Sequence, residues 1–150
     1  MDLPIGKKLI GSKWVCRLKY NSNGTIQRYK ARLVIRGDHQ VEGIDYNKTF
    51  APVAKLTSVR CFLSVAIATG WEFHQLDVNN AFLHGDLNED VYMKLPLGYA
   101  ASSPTKACKL KKSLYGLRQT PRQWFVKLSS KLCEYEFIKS YADYSLFTYW

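Results

Sequence analysis

The sequence predicts an α+β fold in a single domain, and three observations lead to this prediction. The chain has 150 residues, the usual size of one domain or of part of a larger one. Its hydrophobic content of 47%, with 14% aromatic residues, is enough to fill a core and excludes a mainly disordered chain. Segments with the period of strands alternate with segments of helical spacing, in the order β-β-α-β-α-β-α-β.

The first predicted element is a β-hairpin. Residues Lys13–Tyr20 alternate between apolar and polar side chains, and a second such strand runs from Ile26 to Gly37. Between them, Asn23 and Gly24 favour a tight turn because both tolerate the positive φ angles that such turns need. An irregular connector from Asp38 to Pro52 follows the hairpin.

A helix and a strand are predicted next. Residues Leu56–Thr69 carry apolar side chains at helical spacing, with Thr57 or Ser58 to cap the start and a glycine after the end. Residues Trp71–Val78 return to period two, which predicts a strand with Asp77 near its end. The remaining predicted elements are a turn or short helix (Asn79–Leu83), a strand (Val91–Leu95), a small-residue loop (Ala100–Pro104), a helix opened by Pro121 (Arg122–Tyr135) and a strand (Ser145–Trp150).

The charge of the chain is unevenly distributed. The net charge is +10, with nine bases and no acid from Lys7 to Arg36, and eight bases and no acid from Lys106 to Lys131. Between them, the stretch Trp71–Tyr92 contains five acids and no base. Two basic lobes around an acidic middle suit phosphate backbones and divalent cations, although solvated basic faces give the same pattern.

The composition also bears on the cellular environment. The longest apolar stretch, Cys61–Thr69, is too short for a bilayer span, and the first residues lack the pattern of a signal peptide. The four cysteines are widely spaced and form no CxxC pair, so we interpret them as small core residues. These features predict a soluble intracellular protein without a membrane partner.

Three groups of segments carry a family resemblance. Residues Leu76–Leu87 read Leu-Asp-Val-Asn-Asn-Ala-Phe-Leu-His-Gly-Asp-Leu, and residues Ser113–Trp124 read Ser-Leu-Tyr-Gly-Leu-Arg-Gln-Thr-Pro-Arg-Gln-Trp. The third group comprises Tyr29–Val34, Glu42–Tyr46 and Thr49–Val53. Together they closely resemble the reverse transcriptase domain in the Pol polyproteins of copia-type LTR retrotransposons, over nearly the whole chain.

The resemblance implies a fold and an activity. It implies a partial reverse transcriptase domain over residues 1–150, with fingers at about 11–55 and palm elements at about 56–150, built on an antiparallel sheet with packed helices. The implied activity is RNA-directed DNA polymerisation with two Mg²⁺ ions, which clamp the attacking and leaving oxygens. Asp77 matches the first metal-binding aspartate, with the backbone carbonyl of Val78 as its companion ligand. Without the resemblance, Asp77 reads more readily as a turn or cap residue.

The same resemblance assigns the nucleotide site. Phe82 matches the aromatic gate that excludes a 2′-hydroxyl, although a core role is the common fate of a phenylalanine. Asn80 and Ala81 are implied to present backbone N–H groups to the triphosphate. Tyr115 and Gly116 match the pair of residues beside the nascent base pair.

Four basic residues complete the implied site. Lys30 and Arg32 are candidates for contact with the triphosphate, and Arg118 and Arg122 for contact with the template or primer backbone. For Lys30 and Arg32, a solvated hairpin charge is an equally good interpretation.

Two further metal-binding aspartates are expected in a Tyr-X-Asp-Asp hairpin, and this sequence contains no Asp-Asp pair. The stretch Tyr141–Tyr144 looks similar but contributes only Asp143, which in the family precedes that hairpin. Because one carboxylate does not hold two magnesium ions, we expect the 150-residue chain to lack polymerase activity. The strand Ser145–Trp150 would also lack its hairpin partner, so we expect the chain to be marginally stable or aggregation-prone.

The sequence leaves other functions open. One is a non-catalytic nucleic-acid-binding remnant that uses the basic lobes together with Trp14, Tyr20, Tyr29 and Tyr115. Another is the product of a decayed transposon without a function. In a full-length parent, the expected partners are RNA or DNA primer–template, deoxynucleoside triphosphates and other Pol regions, located by family analogy in cytoplasmic particles and the nucleus.

Overall fold

A computed structural model describes residues 1–99 and 106–150 of the chain. The predicted loop Ala100–Pro104 lies outside the described residues. The elements are strands β1 (Leu9–Ile10), β2 (Ser12–Tyr20), β3 (Ile26–Ile35), helix α1 (Leu56–Ala68), strands β4 (Tyr92–Lys94) and β5 (Ala107–Lys109), helix α2 (Thr120–Glu134), and strands β6 (Ile138–Lys139) and β7 (Phe147–Thr148). Short 3₁₀ turns stand at Gly37–His39 and Ala81–His84.

The predicted hairpin is confirmed. Strands β2 and β3 pair antiparallel from Ser12 opposite Ile35 to Lys19 opposite Arg28. In the connecting turn only Gly24 takes a positive φ, of 83°, so the prediction of positive φ for Asn23 was wrong. The Asn23 side chain instead accepts a hydrogen bond from the backbone N–H of Thr25, at 3.1 Å.

The core lies where the base of the hairpin meets a small three-stranded sheet. In that sheet β4 pairs parallel with β1 and antiparallel with β5. The prediction of an antiparallel sheet is therefore wrong for the pairing of β1 with β4. The described strands form three separate sheets. The fully buried apolar residues that pack together are Ile10, Ile35, Val91, Met93 and Leu117.

The two long predicted helices are present, but they are buried to different degrees, and the predicted turn or short helix at Asn79–Leu83 is the 3₁₀ turn Ala81–His84. Helix α1 follows Lys55 without any side-chain cap, so neither Thr57 nor Ser58 caps it as predicted. Its one fully buried residue is Ala66, and most of its apolar side chains stay exposed. Helix α2 begins with a proline in its first turn, as predicted, and packs against the turn at Ala81–His84. The expectation of packed helices holds for α2.

Two predicted strands were wrong. Residues Trp71–Val78 form no strand, because period-two alternation becomes a strand only when a partner completes the ladder, and no described strand pairs with them. The predicted strand Ser145–Trp150 is reduced to β7, which pairs with the unpredicted β6. The unpredicted β1, β5 and β6 have only two or three residues each, too few to show a pattern.

Two other expectations concern single residues and the membrane. Cys16, Cys61 and Cys133 are exposed, so the interpretation of the cysteines as core residues was wrong for these three. Cys108 is partly buried and packs against the core. Neither described helix has the length and apolar character needed to cross a bilayer.

Candidate functional site

The loop that carries Tyr115 and Gly116 crosses the end of strand β3 at very short range. The Ile35 N–H donates to the carbonyl of Tyr115 at 2.8 Å. Gly116 has a φ of 94°, and a Cβ there would lie 2.2 Å from the carbonyl oxygen of Ile35. A Cβ on Gly37 would lie 2.0 Å from the carbonyl oxygen of Gly116. The crossing requires glycine at both Gly37 and Gly116, because neither position has room for a Cβ. It places Tyr115 beside the hairpin.

A buried network of side-chain amide hydrogen bonds also holds the loop that carries Tyr115 and Gly116. The Gln40 amide donates to the Gln119 side chain at 3.0 Å, and Gln119 donates to the carbonyl of Asp45 at 3.1 Å. The Arg118 N–H donates to Gln40 Oε1 at 2.8 Å, and Arg118 Nε donates to the carbonyl of Gly37 at 2.9 Å. Sequence reasoning missed Gln40 and Gln119, which are both buried. The only signal for Gln119 was its place inside the stretch Ser113–Trp124, which carries the family resemblance.

Three of the predicted site residues meet in one aromatic cluster. The Arg32 guanidinium carbon lies 5.5 Å from the centroid of the Tyr115 ring. The Phe82 ring meets the same Tyr115 ring edge-on, with centroids 5.7 Å apart and planes at 67°. The cluster joins β3, the Ala81–His84 turn and the loop before α2, which are far apart in the sequence. Contacts of both kinds are favourable.

Two of the basic residues of the hairpin, Lys30 and Arg32, interact electrostatically with each other. The pKa of Lys30 is lowered, mainly by the neighbouring Arg32 guanidinium and also by partial desolvation, Arg28 and Lys19. The Asp77 carboxylate acts on Lys30 in the opposite direction. Arg32 Nε is shut off from solvent and has no hydrogen-bond acceptor among the described residues. A buried donor without an acceptor is uncommon in folded proteins.

Asp77 itself lies in the exposed, irregular segment before the Ala81–His84 turn, and not at a strand end as predicted. The Ala81 N–H donates to the Val78 carbonyl at 3.3 Å, so the two predicted backbone ligands contact each other in this structure. Asn80 adopts the left-handed conformation, with a φ of 52°, which turns the chain towards Phe82.

Few possible metal ligands accompany Asp77. It forms no ion pair within residues 1–99 and 106–150. The same residues contain no group of three or more His, Cys, Asp or Glu side chains able to hold a metal ion. The described residues therefore show a lone carboxylate at Asp77 and no multi-carboxylate metal site.

Arg118 and Arg122 do not join this cluster. The Arg118 side chain binds the Gly37 carbonyl, and its guanidinium lies 5.8 Å from the centroid of the Tyr46 ring. Arg122 lines a separate polar cavity of about 460 Å³ together with Lys7 and Lys48. Contact of either arginine with a template or primer strand stays a prediction, and Arg122 is the better placed for a ligand.

Comparison with known proteins identifies the family. The family described as reverse transcriptase (RNA-dependent DNA polymerase) matches residues 1–150. The chain is 50% identical over 140 residues, 93% of its length, to the retrovirus-related Pol polyprotein from transposon RE1 of Arabidopsis thaliana, and covers 10% of that protein. It is 47% identical over 144 residues, 95% of its length, to the Pol polyprotein from transposon TNT 1-94 of Nicotiana tabacum, and covers 11% of it.

A more distant relative comes from yeast. The chain is 31% identical over 144 residues, 91% of its length, to the transposon Ty1-ER2 Gag-Pol polyprotein of Saccharomyces cerevisiae, and covers 8% of it. The chain thus spans about a tenth of the length of the curated relatives it matches. No solved structure matches it. The chain belongs to the reverse transcriptase family, in the branch of the copia-type retrotransposon Pol polyproteins.

Proposed function

We propose that the chain forms the nucleotide-binding side of the active site of an RNA-directed DNA polymerase, with fingers at about 11–55 and palm elements at about 56–150. The single observation that carries this proposal is the cluster of Arg32, Tyr115 and Phe82. Lys30 adjoins it on the same strand, and the Asp77 carboxylate acts electrostatically on Lys30. Each of these residues was assigned to the nucleotide or its metal from sequence alone, and they come from separate parts of the chain.

The cluster gives each side chain a role. The Arg32 guanidinium and the adjacent Lys30 ammonium bind the triphosphate through their positive charges. Phe82 lies under the sugar and excludes a 2′-hydroxyl, and Tyr115 holds it in place through the edge-on contact. Gly116 lets the chain approach the nascent base pair closely, since it has no side chain.

Asp77 and the Val78 carbonyl hold one Mg²⁺ in this proposal, and the Asn80 and Ala81 N–H groups face the triphosphate. To do so, the Ala81 N–H exchanges its present bond to Val78 for one to a phosphate oxygen. A bound magnesium ion would neutralise phosphate charge during nucleotidyl transfer. Asp77 would supply the one carboxylate for this ion, and the described residues contain no group of three or more His, Cys, Asp or Glu side chains for a second ion.

The proposal extends to partners and location. In the full-length parent the site takes deoxynucleoside triphosphates and a primer–template, works alongside other Pol regions, and is located in cytoplasmic particles and the nucleus. For the purified 150-residue chain we expect no template-dependent DNA synthesis, because a single carboxylate does not clamp both reacting oxygens. Magnesium-dependent primer extension by this chain would contradict that expectation.

Nucleotide binding tests the proposal without requiring catalysis. Calorimetric titration of the chain with dATP and Mg²⁺ should show binding that Arg32→Ala and Tyr115→Ala each weaken at least several-fold. Tyr20→Ala is the matched control for the tyrosine variant. Tyr20 is exposed and lies at the far end of β2, in the hairpin that carries Arg32 but away from the cluster. Equal affinities for the wild type and the two cluster variants would refute the assigned site.

One observation favours a second function, non-catalytic binding of nucleic acid. Strands β2 and β3 place Arg17 directly opposite Lys30 and Lys19 directly opposite Arg28. Like charges in opposed positions destabilise a hairpin, which indicates a surface built for a polyanion. Six cations share this face, and neither strand has an acid: Lys13, Arg17, Lys19, Arg28, Lys30 and Arg32.

Salt dependence separates the two functions. If the cationic face of the hairpin binds a single strand, the logarithm of the affinity for an oligonucleotide falls by about 0.7 per phosphate contacted, for each tenfold rise in salt. Arg17→Glu should reduce that slope, and Asp77→Ala should leave the affinity unchanged. An oligonucleotide affinity that depends on Asp77 and Mg²⁺ would instead favour the polymerase site.

A further inference from the structure

The chain immediately after the Ala81–His84 turn is fixed against helix α2. A Cβ on Gly85 would lie 2.9 Å from the Cβ of Gln123, so the backbone and the helix are in direct contact there. One residue further on, the Asp86 carboxylate forms an ion pair with the Lys127 ammonium of α2, at 2.8 Å. The C-terminal end of the turn therefore has a defined position on the helix.

The N-terminal end of the same turn begins with a strained bend. The residues that lead into it, Asp77 and Val78, are exposed and belong to no helix or strand. Asn80 then takes a left-handed φ of 52°, which a residue with a side chain keeps only where its surroundings hold it there. The Leu83 N–H donates to the Asn80 carbonyl at 2.8 Å. Since Phe82 lies two residues after Asn80, the position of its ring depends on this bend.

The His84 side chain connects the fixed end of the turn to the strained end. Its Nε2 lies 3.2 Å from the carbonyl oxygen of Asn79. Because a carbonyl oxygen only accepts hydrogen bonds, Nε2 must carry a proton and donate it. The same imidazole packs beside the Trp124 indole of α2, with ring centroids 6.3 Å apart and planes at 48°. One side chain thus contacts both the helix and the backbone that precedes the bend.

We propose that His84 is a positioning residue of the nucleotide site: its imidazole, held by Trp124, closes the bend at Asn79 and so fixes the Phe82 ring against Tyr115. This inference rests on the proposed function and deepens it, because it names the group that sets the position of the sugar gate. The bonded atoms of His84 face the protein, so it acts through Phe82. Its loss should therefore alter the choice between deoxyribose and ribose.

The experiment compares two substitutions of His84 in calorimetric titrations with dATP and with ATP, both in the presence of Mg²⁺. His84→Phe keeps a ring beside Trp124 and removes the donor, so it should weaken dATP binding several-fold and narrow the preference for dATP over ATP. His84→Gln places an amide N–H close to the position of Nε2 and should restore most of both. His74→Phe is the matched control: His74 is an exposed histidine beside Glu72, and its substitution should change neither value.

The ratio of the two affinities separates positioning from a role in stability alone. A variant that only destabilises the fold weakens dATP and ATP equally, whereas a displaced gate changes their ratio. Arg32→Ala, measured in parallel, tests the proposed nucleotide site independently. If Arg32→Ala weakens binding and His84→Phe leaves the ratio unchanged, the role of His84 is wrong and the proposed site stands. If neither variant changes binding, both the proposed site and the role of His84 are wrong.

Two further results would overturn the role of His84. One is a His84→Gln variant that loses as much preference for dATP as His84→Phe, which would contradict the hydrogen bond to Asn79. The other comes from the wild-type chain and covers variants that do not fold. The ¹⁵N shifts of the neutral imidazole should show the proton on Nε2, with nuclear Overhauser contacts to the Trp124 indole. A proton mainly on Nδ1, or the lack of these contacts, contradicts the geometry.

Discussion

The close crossing of Gly116 and Ile35 makes Gly116→Ala the sharpest test of the fold around the site. A left-handed φ destabilises the folded state by about 1–2 kcal/mol when the residue has a side chain. Alanine also reduces the entropy of the unfolded chain, which offsets roughly 0.4–1 kcal/mol of this loss. The new Cβ would also lie 2.2 Å from the Ile35 carbonyl oxygen, so the two segments must separate. This separation breaks the hydrogen bond from Ile35 to Tyr115, which lowers the free energy of unfolding by about 1 kcal/mol. It also disturbs the packing beside the core. The expected loss is about 3 kcal/mol of unfolding free energy.

Gly24→Ala is a matched control for this prediction. Gly24 also has a positive φ, of 83°, but a Cβ there meets nothing within 4 Å. Its substitution by alanine should lower the free energy of unfolding by only about 1 kcal/mol, because backbone strain is the sole contribution. Urea unfolding followed by tryptophan fluorescence gives both values. If Gly116→Ala loses no more than Gly24→Ala, the crossing does not constrain the loop, and the reasoning that places Tyr115 by this crossing fails.

Three other predictions concern single side chains. Arg118→Ala should destabilise the chain by about 1 kcal/mol in urea unfolding, because it removes the bond to the Gly37 carbonyl, whereas a role limited to binding nucleic acid would leave stability unchanged. Phe82→Val should bring the affinities for ATP and dATP closer together in calorimetric titrations, and an unaltered preference would exclude Phe82 as the sugar gate. Arg17→Glu should raise the Tm, since it pairs opposite charges across the hairpin at Lys30, while weakening oligonucleotide binding; a lowered Tm would contradict the repulsion between the opposed cations.

The elements that the sequence predicts well are those fixed by local interactions. The hairpin needs only two alternating segments and a turn glycine, and α1 needs only apolar residues at helical spacing with Gly70 after it. The segment Trp71–Val78 shows the limit of this reasoning. Its alternation changes phase between Phe73 and Leu76, and a strand also requires hydrogen-bond partners, which depend on the tertiary structure.

The candidate site shows the same difference between what local sequence predicts and what depends on tertiary structure. The sequence, read through the family resemblance, named Arg32, Phe82 and Tyr115, and the structure brings all three together. It did not show how they are held, because the Gly37–Gly116 crossing is defined by a distance between segments remote in the chain.

The most direct test of the central claim is to locate a bound metal–nucleotide complex on the chain. Mn²⁺ with dATP, titrated into ¹⁵N-labelled protein, broadens amide signals near the bound ion. The account predicts broadening at three separate places: the segment from Asp77 to Phe82, the Tyr115–Gly116 loop, and strand β3 around Lys30 and Arg32. Broadening confined to other carboxylates, such as Glu89 and Asp90 beside Arg122, would contradict the assigned nucleotide site.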